Sequence, residues 1–142
     1  RVCLLPPSLS TRTCPGRSLL VVTHDLGVAW NIADRIAVMY LGRIVEQGPT
    51  EEVLSAPKHP YTRALLSVVP EIDHVAPIVL TGEPPDPTAI PSGCRFHPRC
   101  PALRDGEAQA VAEDCRSKDL PVLSDADGHE AACWLTGTPA GH

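Results

Sequence analysis

Residues 18–48, SLLVVTHDLGVAWNIADRIAVMYLGRIVEQG, decide how this chain reads. Leu19-Leu20-Val21-Val22 is an unbroken apolar run that stops at Thr23-His24-Asp25. A short β-rich run ending on polar residues predicts a buried strand whose end presents a site. Leu26, Ala29, Trp30 and Ala33 then fall at helical spacing on one face, with Asp25 placed to cap. Arg35–Tyr40 and Arg43–Gln47 read as the two strands of a hairpin. Glycine in the connecting Leu41-Gly42 supplies the positive φ of a tight turn. Gly48-Pro49 stops the sheet.

Further along, Thr50 is expected to cap a short helix through Glu51, Glu52, Val53 and Leu54, the two acids lying favourably at its N-terminus, with Pro57 ending it. Pro60 suits the first position of another helix. Tyr61, Ala64, Leu65 and Val68 form its apolar stripe at i, i+3, i+4, i+7, and Pro70 closes it. The segments VVTHDL and ADRIAVMYLGRIVEQGPTEEVLSAPKHPYTRALL resemble the end of an ABC-transporter ATPase domain. The HPYT at His59–Thr62 narrows the resemblance to the ATP-binding subunits of oligopeptide/dipeptide importers, and the match runs from Ser18 to about Pro70. It implies an α/β fragment, the end of a P-loop ABC ATPase domain built as strand, short helix, β-hairpin and helices. It also implies that His24 is the switch histidine, a catalytic and ATP-contacting residue donating to the γ-phosphate, where charge accumulates. Taken alone, a histidine at a strand end is a polar group bonded to the backbone. Asp25 reads as a cap and loop organiser, not a base.

Composition sets the outer limits. A chain of 142 residues builds one modest core and is marginal for two. With 4% aromatic residues and sixteen prolines, that core should be small and aliphatic, with much irregular structure around it. A net charge of −5 gives no support for nucleic-acid binding. No apolar run is long enough for direct membrane insertion, and no basic n-region precedes an apolar h-region. The expected location is the cytoplasm, and the resemblance implies a peripheral place on the inner face of the cell membrane. Thiols stay reduced there, so the six cysteines read as metal ligands or bystanders.

Residues 1–17, RVCLLPPSLSTRTCPGR, contain no Asp or Glu and match nothing around them. In the resembled family this region carries a strand ending in paired acids that hold Mg²⁺ and orient water, then a long helix. Neither is present, nor is a G-x-x-x-x-G-K-[ST] loop or the Gly-rich signature segment. The chain therefore reads as the C-terminal part of an ATP-binding subunit, with a leader such as truncation, a frame shift or an incomplete gene model would leave. Alone, it is expected neither to hydrolyse ATP nor to bind it stably.

The prolines of residues 71–93 mark an extended connector, within which Ile78-Val79-Leu80 is a candidate edge strand. Residues 94–142 form an extension with few large apolar side chains and a short helix expected over Glu107–Ala112. So small a set of apolar groups calls for a staple. Cys94, Cys100, Cys115 and Cys133 supply one, spaced C-x5-C-x14-C-x17-C. Four thiolates suit a cubane iron–sulfur cluster or a tetrahedral zinc ion. Structural zinc favours close C-x2–4-C pairs, which are lacking, so the spacing suits a cluster at least as well. Buried free thiols are the third reading. SGCRFHPRCP and GHEAACWL resemble the C-terminal extension of the importer ATPases, some of which hold a [4Fe–4S] cluster through four cysteines. The inserted RDGEAQAVAED makes Cys115 the weakest of the four, with His97 a substitute ligand. Arg95 and Arg99 either offset cluster charge or face solvent, and Trp134 covers the site. Cys3 and Cys14 receive no role.

The expected function is thus that of a C-terminal fragment of a peptide-importer ATP-binding subunit. In the intact protein it would couple ATP hydrolysis to oligopeptide or dipeptide uptake, working with permease subunits and a partner ATP-binding subunit. The rivals are a small four-cysteine metal-binding interaction module and a degenerate product without function.

Overall fold

Asp25 opens the first helix as its position predicts. In the computed structural model, which describes residues 19–69, 76–83, 86, 88–123 and 128–136, its carboxylate accepts from the Val28 amide at 3.1 Å. The helix α1 runs Leu26–Ile32. The leader with Cys3 and Cys14, and the helix-closing Pro70, lie outside the described residues.

The run Leu19–Val22 departs from expectation: it forms no strand, and Leu20 is 91% exposed. A buried strand needs neighbours to pair with on its sheet, and the one sheet among the described residues does not include this run. Helix α1 beside it likewise buries no residue, and Trp30 is half exposed.

The hairpin forms as read. Strands β1 (Arg35–Tyr40) and β2 (Arg43–Pro49) pair antiparallel from Arg35↔Pro49 to Tyr40↔Arg43. Leu41 and Gly42 both take positive φ, +46° and +75°, the pattern of a two-residue I′ turn. A register shift after Val38 leaves Val45 as the extra residue on β2. Strict alternation would put Val45 and Glu46 on opposite faces, yet both are buried. A third strand, β3 (Glu130–Ala131), adds to β2 and was not anticipated. Two residues are too short for a periodic signal.

Helix α2 (Thr50–Ser55) follows directly, but Thr50 is its first residue and not its cap. The Thr50 hydroxyl donates to the Ala33 carbonyl at 2.6 Å and its amide to Asp34 O at 3.1 Å, tying α2 to the end of α1. Helix α3 (Pro60–Leu66) starts on Pro60 as expected, with His59 as its cap. It ends before Val68, which is 63% exposed, so the apolar stripe is shorter than the spacing suggested. Ile78–Leu80 forms no edge strand; Ile78 N donates to Ser67 Oγ instead, and Leu80 packs on the core.

The extension holds more regular structure than its composition promised. It carries α4 (Pro101–Arg104), α5 (Ala112–Ser117) and 3-10 turns at His97–Arg99, Gln109–Val111 and Trp134–Thr136. The helix expected over Glu107–Ala112 is a 3-10 turn at Gln109–Val111 that leads directly into α5. Among the described residues no helix is long and apolar enough to cross a membrane.

One hydrophobic cluster joins the hairpin to the cysteine extension. Val38, Tyr40, Val45 and Val53 pack with Cys94, Phe96, Cys115, Leu120 and Ala132. The chain has one phenylalanine and two tyrosines, and all three meet here. The ring of Phe96 lies 5.1 Å from Tyr40, edge-on, and 5.3 Å from Tyr61. Edge-to-face pairs of this kind add to simple area burial. Phe96→Ala is therefore expected to cost about 3–5 kcal/mol in urea unfolding. Val79→Ala, at an exposed site, should stay within about 0.5 kcal/mol. A Phe96→Ala loss no larger than that of Val79→Ala would mean the aromatic cluster is not a core in solution.

Candidate functional site

Separate short elements deliver four cysteines to one place. Cys94 lies in the turn before the 97–99 helix, Cys100 directly precedes α4, Cys115 sits within α5, and Cys133 follows β3. All four line one cavity, whose walls also include His59, Phe96, Leu120 and Trp134. None forms a disulfide. The open space between them is about 10 Å³, room for one water at most.

Backbone bonds, not sequence spacing, bring Cys115 in. Cys94 N donates to Cys115 O at 2.8 Å, and the Ser92 hydroxyl donates to Arg116 O at 2.9 Å. Gly93 allows this approach. Its φ is +65°, and a Cβ there would stand 2.6 Å from Cys115 O and 2.8 Å from the Arg116 carbonyl carbon.

Burial pushes all four thiols up, Cys94 to about 12 and Cys115 to about 11. Backbone amides pull the other way: Phe96 on Cys94, Leu103 and Ala102 on Cys100, Leu135 and Thr136 on Cys133. The sulfurs also raise one another, Cys133, Cys115 and Cys100 all acting on Cys94. Such a cluster resists becoming four thiolates unless positive charge arrives with the change.

The flanking residues take particular places. His97 lines the cavity, and its Nδ1 is 2.9 Å from the Cys94 carbonyl. Arg95 donates to the Leu41 carbonyl, clasping the hairpin turn, and Arg99 Nε donates to Thr81 O in the connector. Trp134 lines the cavity, with its Nε1 buried and unpartnered. Among the described residues, no three His, Cys, Asp or Glu side chains are grouped so as to hold a metal ion.

Two residues escaped the sequence reading. His59 was visible only as part of HPYT. It is 1% exposed; its Nδ1 accepts from the Tyr61 amide at 3.0 Å, and its Nε2 is buried without a partner. An accepting Nδ1 places the proton of the neutral ring on Nε2. Burial keeps that ring neutral, holding it down at about 4 against the pull of Glu46. Glu46 itself is 0% exposed. It accepts from Lys58 N at 2.7 Å, His59 N at 3.0 Å and His129 Nε2 at 2.7 Å. A single acid in a strand carries no signal of this role, because its partners lie 12 to 83 residues away.

His24 sits exposed in the bend ahead of α1 and is not among the residues lining the cysteine cavity.

The family described as "Oligopeptide/dipeptide transporter, C-terminal region" matches residues 45–106. A probable peptide ABC transporter ATP-binding protein of Sinorhizobium fredii is 42% identical over 128 residues, 88% of this chain and 34% of that protein. The dipeptide transport ATP-binding protein DppF of Haemophilus influenzae is 42% identical over 84% of this chain and 35% of its own. The oligopeptide transport ATP-binding protein AppD of Bacillus subtilis is 38% identical over 83% of this chain and 34% of its own. The chain thus spans about a third of the length of these relatives.

The contact at Gly93 gives a direct check on the cavity. Gly93→Ala should cost at least about 1–3 kcal/mol, from the strained φ and the clash with α5. It should also speed labelling of the Cys94 and Cys115 thiols by a thiol reagent. Wild-type stability and labelling rate in this variant would mean the Gly93 turn and α5 do not touch.

Proposed function

We propose, from the match of residues 45–106 to the C-terminal region of oligopeptide/dipeptide transporters, that the chain is the C-terminal part of a peptide ABC importer's ATP-binding subunit. The observation that carries the reading is that the similarity runs through both the hairpin half and the cysteine half. The exposed Leu19–Val22 run and the uncovered α1 support it, as the face on which the remainder of an ATPase domain packs. In the assembled transporter this subunit couples ATP hydrolysis to oligopeptide or dipeptide uptake. It pairs with a second ATP-binding subunit against permease subunits, on the cytoplasmic face of the membrane. His24 contacts the γ-phosphate there. His24→Ala should lower ATP turnover of that assembly about 10²–10³-fold, as loss of one transition-state donor does elsewhere. Unchanged turnover would remove His24 from the site.

The four thiols fit a thiolate-bound group by their chemistry. Four free cysteines line one cavity, and backbone amides face three of the sulfurs. Among the described residues no three ligands are drawn together, which sets a zinc ion and a cluster on the same footing. A [4Fe–4S] core is larger than the roughly 10 Å³ that the cysteines line, so in this reading Cys94, Cys100, Cys115 and Cys133 move apart to become its ligands. Bound there, it supplies a cross-link between the short elements and a one-electron redox couple. A cysteine module folding without the hairpin is disfavoured, since Phe96 and Ala132 share a core with Val38, Tyr40 and Val45.

Anaerobic purification with metal and sulfide analysis tests the site. About four iron and four sulfide per chain, with the brown colour lost in Cys94→Ser, is the expected result. Stoichiometric zinc would replace the cluster with a structural ion, and no metal at all would return the cysteines to buried free thiols.

A further inference from the structure

Three of the four cysteines share one frame, and the fourth hangs from another. Cys94 N donates to Cys115 O at 2.8 Å, His97 N to Cys94 O at 2.9 Å and Cys100 N to His97 O at 3.3 Å, so one run of turns carries Cys94, Cys100 and Cys115. The backbone bonds of Cys133 stay local. Its amide donates to Ala131 O at 3.0 Å, and its carbonyl accepts from the Thr136 amide and hydroxyl. The place of Cys133 in the cavity wall is therefore set by how residues 128–136 are fastened.

That fastening is short. Strand β3 pairs two residues, Glu46↔Ala131 and Gln47↔Glu130, and Ala132 N donates to Val45 O at 2.8 Å. His129 adds two bonds: its Nε2 donates to Glu46 Oε1 at 2.7 Å, with both side chains buried, and its carbonyl accepts from Lys58 Nζ. Gly48 lets the segment lie this close to β2, since a Cβ there would stand 2.8 Å from His129 Cα. Farther along, Lys118 lies over the Trp134 ring, 5.7 Å from its centroid. A strand of two residues is short to hold by its ladder alone. The hydrogen bond to the Glu46 carboxylate is charge-assisted and shielded from water, which makes it the strongest of these fastenings.

The space behind the segment is about 10 Å³, room for one water at most. Cys94, Cys115 and Cys133 are all buried, so a reagent larger than water reaches them by displacing a wall. We propose that residues 128–136 are that wall: a lid carrying Cys133 and Trp134, which lifts from β2 as one unit when the Glu46–His129 catch releases. The hairpin and the frame of Cys94, Cys100 and Cys115 stay in place. Weakly fastened parts of a fold open in this way without global unfolding. The lid governs access to the thiols whatever they hold, so a chain that takes up no metal leaves it standing.

Hydrogen exchange and alkylation of the whole chain test this. The Ala132 amide reports the lid, the amides of the β1–β2 ladder report global unfolding, and iodoacetamide modification of Cys133 reports access. Ala132 should be at least about tenfold less protected than the ladder amides. Its exchange should also depend less steeply on urea, because a lid exposes less surface than the whole chain. Cys133 alkylation should show the same shallow dependence. His129→Ala deletes the catch, and Lys58→Met deletes the bond to the His129 carbonyl while keeping the stem. Losing a hydrogen bond to a charged group should speed Ala132 exchange and Cys133 alkylation about tenfold or more in His129→Ala, with a change in the same direction in Lys58→Met. If Ala132 and Cys133 shared the protection and urea dependence of the ladder, the segment would open only with the whole chain, and the proposal would be overturned. Wild-type rates in both variants would overturn it too, because the His129 junction would then not be the catch. Should His129→Ala fail to fold, Lys58→Met alone decides.

Discussion

A carboxylate with no access to water governs how this chain closes. Removing a charge from solvent costs several kcal/mol, and it is tolerated only when hydrogen bonds surround it. Glu46 meets that condition with donors from two other segments: the Lys58 and His59 amides of the loop between α2 and α3, and the His129 ring ahead of β3. The Lys58 ammonium then donates to the His129 carbonyl, closing the loop of contacts. Glu46 touches none of the cysteines' cavity, yet it orients two of its walls. His59 stands on one side of this junction, and Cys133 follows β3 on the other.

The aromatic residues do the complementary apolar work. A chain this poor in rings would gain little by scattering them, and it gathers Tyr40, Tyr61 and Phe96 into mutual contact. Each comes from a different element: the hairpin, α3 and the first cysteine turn. The proline-rich connector separates the last of these from the others in sequence but not in the core. Its described carbonyls at Val79 and Thr81 are held by Arg104 and Arg99, so that stretch is tethered to the extension. The core and the buried carboxylate therefore bind the same parts together by different physics, one by area and one by direction.

What sequence reveals here depends on how local the cause is. Asp25 as a cap, the Leu41-Gly42 turn and Pro60 at a helix start were legible because their reasons lie within four residues. Leu19–Val22 misled because strand character needs partners that its own residues cannot supply. Thr50 misled because its hydroxyl found the Ala33 carbonyl, a tertiary acceptor, in place of its own helix. For the cavity, the cysteines announced themselves by type and spacing. The unpartnered nitrogens of His59 and Trp134 did not, because only a full account of hydrogen bonds shows which groups lack a partner. Glu46 was equally silent, since a strand pattern marks an acid as solvent-facing unless a bulge turns it inward.

The amide of Cys94 holds the carbonyl of Cys115, and this frees the chain between Cys100 and Cys115 from any fixed length. When a residue's place is set by a partner across space, intervening residues contribute mainly loop-closure entropy. That entropy grows slowly: doubling such a loop costs only about 0.6 kcal/mol. Around Gly106 nothing packs within 4 Å of where a side chain would begin, so growth there meets no obstacle. A longer segment between Cys100 and Cys115 thus leaves Cys115 against Cys94 all the same. The order of the cysteines, and not the interval between them, is what this contact fixes.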